Sequence, residues 1–196
     1  GIAFVVVQHL SPDYKSMMDS LLARYTKLAI YRVEDGMEVA PDSIYLIPPR
    51  KNMSLFHGKL YLSEQEGQRP LNLPIDIFLR SLAKDQGKNA IGIILSGTGS
   101  DGTLGIRAIK EHAGMVMVQD DHSAKFDGMP RSSIATGIVD YILPPEKMPG
   151  ELVNYLQHPF ITKSEKLEDD SYKENYLSKI AMLLREYDPA GNPPLD

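Results

Sequence analysis

The sequence predicts an α/β protein with a three-layer, doubly wound, mainly parallel sheet, an added antiparallel hairpin and a C-terminal helical tail. Continuous apolar runs at residues 2–8, 90–95 and 115–119 are typical of parallel strands buried on both faces. Segments with apolar residues at helical spacing follow these runs. Strands that alternate with helices favour a parallel sheet built from βαβ units.

In the first half, the strand at residues 2–8 leads to a helix in which Ser11 is the N-cap and Pro12 the first helical residue. Met17, Leu21, Leu22 and Tyr25 continue that helix at the expected spacing. His57-Gly58 between two apolar segments is a two-residue hairpin signal. The predicted strands of this half are 30–33, 43–47, 53–56 and 59–62, followed by a polar loop at 63–74.

In the second half, predicted helices and strands alternate. A helix from residue 75 ends near Gly87, and a second helix spans about 101–112. A loop at 126–131 enters a short helix at 131–136. The remaining predicted elements are the strands 90–95, 115–119 and 139–143 and a helix at 148–156.

Changes in composition along the chain predict three segments. Residues 1–158 form the main domain, 159–174 are a charged linker, and 175–196 begin a second, helical domain with an apolar stripe. The chain starts inside a predicted strand, so we expect a segment that precedes residue 1.

Composition narrows the functional classes. The 196 residues are 42% hydrophobic and 24% charged, as in a globular protein. The net charge of −5 and the lack of basic runs argue against nucleic acid, and no apolar run is long enough to cross a membrane. The absence of cysteine excludes thiolate metal sites and a cysteine nucleophile and fits a cytoplasmic protein.

The loop at residues 97–102, GTGSDG, matches the dinucleotide fingerprint G-x-G-x-x-G between a strand and a helix. Asp120, after the next strand, is placed like a ribose-binding acid. Against this interpretation, Asp101 would compete with a pyrophosphate for the helix N-terminus, and the loop has no basic residue.

His9 and Asp101 each follow a predicted parallel strand directly. Sites in open α/β sheets form at the carboxyl ends of strands, so the two side chains are candidates for a base and its orienting carboxylate. The alternative for Asp101 is an ordinary N-cap of its own helix. No serine lies in a G-x-S-x-G elbow, so a nucleophile is not identified.

Several long motifs resemble, in order, the catalytic domain of the bacterial chemotaxis receptor methylesterases, the CheB type. They are VVVQHLSPDY, EDGMEVAPDSIYLIPPRKNMSL, KNAIGIILSGTGSDGTLGIRAIKEHAG and KFDGMPRSSIATGIVDYIL. The resemblance covers residues 2–157 and implies a serine esterase with a Ser-His-Asp triad. It assigns the histidine to His9 and the aspartate to Asp101, which makes Asp120 incidental.

The resemblance implies hydrolysis of glutamate methyl esters on methyl-accepting chemotaxis receptors, with deamidation of receptor glutamines as a further activity and no cofactor or metal. The family's serine would precede residue 1, so this chain alone is expected to be inactive. Thr98 stands where single-domain members carry Met. Backbone N–H groups of Thr98 and Gly99 are candidates for binding the oxyanion, and Met129 for lining the substrate groove.

The segment YLSKIAMLLRE resembles the first helix of a CheR-type receptor methyltransferase. The implied partners are therefore the cytoplasmic helices of chemotaxis receptors and a fused methyltransferase domain. Two other functions stay open from the sequence: a dinucleotide-binding oxidoreductase, and a non-catalytic interaction module with the same fold.

Overall fold

A computed structural model describes residues 1–8, 18–65 and 72–157. The chain divides into two compact units, residues 1–150 and 151–196. The α/β class is confirmed, with mostly parallel strands and a separate antiparallel sheet. The described elements, in chain order, are β1 (Ala3–Val6), α1 (Met18–Leu22), β2 (Ala29–Arg32), β3 (Met37–Glu38), β4 (Ser43–Leu46), β5 (Lys51–Phe56), β6 (Lys59–Glu64), α2 (Pro74–Gln86), β7 (Ile91–Ile94), α3 (Thr103–Glu111), β8 (Met115–Gln119), α4 (Gly128–Ile134), β9 (Tyr141–Leu143) and α5 (Met148–Gln157).

The parallel strands form two three-stranded sheets, with strand orders β1-β4-β2 and β7-β8-β9. Every residue of β8, the central strand of the second sheet, is buried, as predicted for a parallel strand covered on both faces. In the first sheet, Tyr31 and Tyr45 lie opposite each other and their rings stack with centroids 5.6 Å apart. Cross-strand pairs of this kind fix the register of the strands.

The predicted hairpin is confirmed and extends to a third strand. His57 and Gly58 have φ angles of +50° and +72°, as a type I′ turn requires. Asp85, near the end of α2, accepts hydrogen bonds from the backbone N–H groups of both residues. The short strand β3, which the sequence did not predict, pairs antiparallel with β6.

The first strand differs from its prediction. No residue of β1 is buried, and Phe4 is 38% exposed, because β1 pairs with β4 alone within the described residues. Tyr25, predicted on an apolar helix face, is 83% exposed and lies beyond the end of α1. The predicted helix start at Ser11-Pro12, the linker and the C-terminal helical tail lie outside the described residues.

The helices α2 and α3 pack against each other and carry much of the core. Leu79 of α2 and Ile106 and Ile109 of α3 are buried there. Helix α2 begins at Pro74, one residue before its predicted start, and is followed by Gly87 with φ +54°, where the sequence predicted its end. Their close packing places the two helix N-termini beside the loop that follows β7.

Candidate functional site

The glycine loop, residues 95–102, connects β7 to α3. Ser96, Thr98, Gly99 and Ser100 are exposed, whereas Asp101 is only 3% exposed. A buried carboxylate is stable only when hydrogen bonds replace its hydration. The loop therefore combines an open rim with a buried anionic group at its base.

The Asp101 carboxylate binds the N-terminus of α2. Its oxygens accept hydrogen bonds from the backbone N–H groups of Ile75 at 3.1 Å, Asp76 at 2.9 Å and Gly102 at 2.8 Å. The first two donors lie in the first turn of α2, where the helix dipole favours a negative charge. The alternative that Asp101 caps its own helix is wrong: Gly102 is the N-cap of α3, and the carboxylate caps α2.

Gly102 allows this arrangement. Its φ of +95° lies in the left-handed region, which glycine adopts without strain. A Cβ there would also lie 2.6 Å from Ile94 Cδ1 and 3.1 Å from Ile75 Cγ2. The glycine spacing of the fingerprint thus serves a tight turn from β7 to α3 that packs against the start of α2.

Asp76 is a second buried carboxylate, not predicted from the sequence, that binds a helix N-terminus as Asp101 does. Asp76 in the first turn of α2 is 4% exposed, and its Oδ1 accepts a 2.7 Å hydrogen bond from the N–H of Gly105 in the first turn of α3. Burial and the charge of Asp101 raise the pKa of Asp76, against the opposing effect of backbone N–H groups of residues 102, 104 and 105. The sequence shows an acid in the first turn of the predicted helix, but it does not show that this acid binds the N-terminus of another helix.

The loop that precedes α4 holds the glycine loop in place. The N–H of Gly97 donates to the carbonyl oxygen of Phe126 at 2.9 Å, and the N–H of Met129 donates to the carbonyl oxygen of Gly97 at 2.8 Å. The Ser132 hydroxyl donates to the carbonyl oxygen of Gly99 at 3.3 Å. These bonds fix the backbone on both sides of Thr98.

Gly128 and Met129 contact the glycine loop directly. A Cβ on Gly128 would lie 2.8 Å from the nitrogen of Gly99, so only glycine permits this approach. Met129 is 7% exposed, and a Cβ on Gly97 would lie 2.4 Å from its sulfur. The Met129 side chain therefore supports the loop from the core, and its role in lining a substrate groove stays a prediction.

Polar groups of both serines in the loop form hydrogen bonds within the loop and with its neighbours. The Ser96 hydroxyl donates to the carbonyl oxygen of Phe126 at 3.2 Å and accepts from the N–H of the same residue at 2.9 Å. Ser100 uses its carbonyl oxygen to cap the first turn of α3 through Thr103. Ser96 is thus a structural residue of the loop contact.

His9 lies outside the described residues, so its pairing with Asp101 stays a prediction. His57 forms the hairpin turn, and His112 Nδ1 lies 2.8 Å from the carbonyl oxygen of Ala108 in its own helix. Both histidines are exposed. Arg131 forms ion pairs with Asp121 and Asp127 at 3.2 and 2.9 Å.

Neither a metal nor a dinucleotide is favoured by the arrangement. Among the described residues, Asp120, Asp121 and His122 have possible ligand atoms within 4.8 Å of one another, but Arg131 already pairs with Asp121. Asp120 accepts a 3.0 Å bond from the N–H of His122 in a local turn. At the start of α3, the carboxylates of Asp101 and Asp76 accept from N–H groups that a pyrophosphate would need.

An open groove of about 660 Å³ lies at the other end of α2. It is bounded by the hairpin turn at His57 and by Lys84, Asp85 and Gln86. Since Asp101 binds the N-terminus of the same helix, this groove is separate from the glycine loop. None of the described helices is long and apolar enough to cross a membrane.

The described fold is an α/β domain with a buried carboxylate in the loop that follows β7, and comparison with known proteins identifies its family. The model of the CheB methylesterase family matches residues 1–152, so the chain belongs to that family. The crystal structure of the Thermotoga maritima CheB methylesterase catalytic domain superposes with a TM-score of 0.69 at 31% identity, over 77% of this chain and 82% of that one.

Two curated relatives place the match in longer proteins. A protein-glutamate methylesterase/protein-glutamine glutaminase of Thermotoga maritima is 32% identical over 153 residues, 76% of this chain and 44% of the relative. An uncharacterized 104.1 kDa protein in the hypE 3'region of Rhodobacter capsulatus is 47% identical over 139 residues, 71% of this chain and 14% of the relative. The chain spans less than half the length of these relatives.

Proposed function

We propose that this chain provides the histidine and aspartate of a protein-glutamate methylesterase, and that a segment outside the 196 residues provides the nucleophilic serine. The substrates are glutamate methyl esters on the cytoplasmic helices of methyl-accepting chemotaxis receptors, with receptor glutamines as substrates for deamidation. A fused methyltransferase domain and a cytoplasmic location complete the proposal. The observation that carries it is the buried Asp101 carboxylate in the loop after β7, which is held by two backbone N–H groups of α2 and by that of Gly102.

The geometry of Asp101 suits the orienting carboxylate of a triad. A carboxylate accepts about four hydrogen bonds, so an imidazole N–H can join the three backbone donors. Those donors hold the carboxylate rigidly at the N-terminus of α2. A fixed carboxylate keeps His9 in the tautomer that accepts the serine proton and stabilises the imidazolium that forms.

The proposed reaction has two steps. The serine oxygen attacks the ester carbonyl carbon while His9 takes the hydroxyl proton, and His9 returns that proton to the departing methanol. Water, deprotonated by His9, then cleaves the acyl-enzyme and regenerates the serine. The N–H groups of Thr98 and Gly99 donate to the oxyanion in both steps, on a loop fixed by Phe126 and Ser132.

Methanol release from a methylated receptor tests the proposal, with the chain joined to its serine-bearing segment. Asp101→Asn should lower kcat by about a thousandfold or more, because the amide favours the wrong imidazole tautomer. Asp120→Asn is the matched control, since this acid ends the neighbouring strand and serves a local turn. Equal activity of the two variants would refute the assignment of Asp101. An inactive parent protein would instead support the non-catalytic module.

A further inference from the structure

The N-termini of α2 and α3 are capped reciprocally by Asp101 and Asp76, an arrangement that we call the carboxylate exchange. Asp101, which precedes α3, accepts from the N–H groups of Ile75 and Asp76 in α2. Asp76, in α2, accepts from the N–H of Gly105 in α3. Neither helix has a side-chain cap from its own N-cap residue, so each depends on the acid of the other.

The exchange is fixed by close packing. A Cβ on Gly105 would lie 2.5 Å from Leu79 Cβ, which shows how tightly the first turn of α3 packs against the second turn of α2. Asp101 and Asp76 are both almost fully buried, so water does not replace either set of hydrogen bonds. A displacement of the Asp76 carboxylate therefore displaces the start of α3 and with it Asp101.

We infer that Asp76 is a positioning residue for the esterase reaction: its carboxylate fixes the start of α3 and hence Asp101, and its negative charge strengthens the basicity of the Asp101–His9 pair. The inference rests on the proposed function. Asp76 itself touches neither substrate nor a reacting atom. It acts through Asp101, whose carboxylate accepts from the N–H of Asp76.

Charge is the part of this role that a purely structural residue would lack. Two like charges at the same helix junction repel, and an imidazolium beside them is stabilised by both. Of the charged groups on the elements packed against the start of α2, namely α3 with its preceding loop and β5, Asp101 is the one that acts on Asp76 within the described residues. Arg80 and Arg107, the basic residues nearest in sequence, are exposed.

The inference requires Asp76 to be ionised where His9 titrates. Burial and the charge of Asp101 raise the pKa of Asp76, and hydrogen bonds from backbone N–H groups of residues 102, 104 and 105 oppose that rise. Each of these three donors favours the carboxylate form of Asp76. Since the amide oxygen of asparagine also accepts from an N–H group, Asp76→Asn removes the charge and keeps the cap.

The experiment is an NMR titration of the His9 imidazole in the 196-residue chain, with its signal assigned among the five histidines by a His9→Gln variant. Asp101→Asn should lower the pKa of His9 because the partner charge is lost. Asp76→Asn should lower it less, by roughly half a unit. Asp120→Asn is the control and should leave it unchanged.

The outcomes separate the inference from the proposed function. If Asp101→Asn leaves the pKa of His9 unchanged, the proposed pair does not exist and both fail. If Asp101→Asn lowers it and Asp76→Asn does not, only the role of Asp76 is refuted. Asp76→Ser, which accepts from an N–H without a charge, replaces Asp76→Asn if circular dichroism shows misfolding. Loss of fold in both would make Asp76 a structural residue and overturn the inference.

A second readout uses the active protein. The acidic limb of the pH profile of kcat/KM reports the free-enzyme base. Asp76→Asn should move this limb to lower pH, and Asp76→Glu should move it back toward the parent value by restoring the charge. A uniform loss of activity with an unmoved limb would show that Asp76 supports the fold alone.

Discussion

Gly105→Ala should destabilise the domain by overpacking the contact between α2 and α3. The new Cβ would lie 2.5 Å from Leu79 Cβ and 3.0 Å from Leu79 Cδ1. The nearer atom is attached to the backbone of α2 and cannot rotate away, so one helix must shift. Overpacking of a core costs about 1–3 kcal/mol, and we take the upper half of that range here.

Alanine also improves helix propensity, and this gain must be subtracted. Replacing glycine by alanine inside a helix returns about 1 kcal/mol. The net loss in the free energy of unfolding is therefore about 1–2 kcal/mol. With an m-value of about 2 kcal/mol/M, the urea midpoint should fall by about 0.5–1 M.

Urea denaturation followed by circular dichroism measures this change. Gly150→Ala in α5 is the matched control, because a Cβ there meets no atom within 4 Å. That variant should keep or slightly raise the midpoint. A midpoint for Gly105→Ala equal to or above that of the parent would refute the close packing that couples Asp76 to Asp101.

Three further predictions follow from the same contacts. Gly128→Ala should lower esterase activity at least tenfold with an unchanged circular dichroism spectrum, because its Cβ would lie 2.8 Å from the Gly99 nitrogen; parent-level activity would exclude a role for that backbone. Asp85→Ala should cost about 1 kcal/mol in urea denaturation, since the hairpin turn loses two acceptors, and an unchanged midpoint would contradict this. The pKa of Asp76 is raised in the folded state, so the ionisation of Asp76 lowers the stability of the parent as pH rises from about 3.8 through that pKa. Asp76→Asn has no such ionisation, so its free energy of unfolding relative to that of the parent should increase over this pH window. Urea denaturation at several pH values measures the difference. A difference that stays constant with pH would contradict the raised pKa.

Local sequence signals predicted the fold well. The hairpin turn at His57-Gly58 and the course of α2 from Pro74 to Gly87 depend on conformational preferences of a few neighbouring residues. The segment MVMVQ likewise predicted the bounds of β8, Met115–Gln119. The two-residue strand β3 was missed because pairing with β6, more than twenty residues later, creates it.

The site was only partly predictable for the same reason. Position after a strand singled out Asp101 as a candidate, but its bonds to α2 connect residues 25 and 26 positions apart. The bond from Gly105 to Asp76 spans 29 positions. Nothing local distinguishes such an acid from an ordinary residue of a first helical turn, so the carboxylate exchange emerges only from the packing of α2 on α3.

Fluorophosphonate labelling most directly tests the claim that Asp101 and His9 activate a serine from outside these residues. The active protein would be labelled with and without His9→Gln and Asp101→Asn, and the adduct mapped by peptide mass. The account predicts one labelled serine outside the 196 residues and labelling at least a hundredfold slower in both variants. A label on Ser96 or Ser100, or an unchanged labelling rate in either variant, would contradict it.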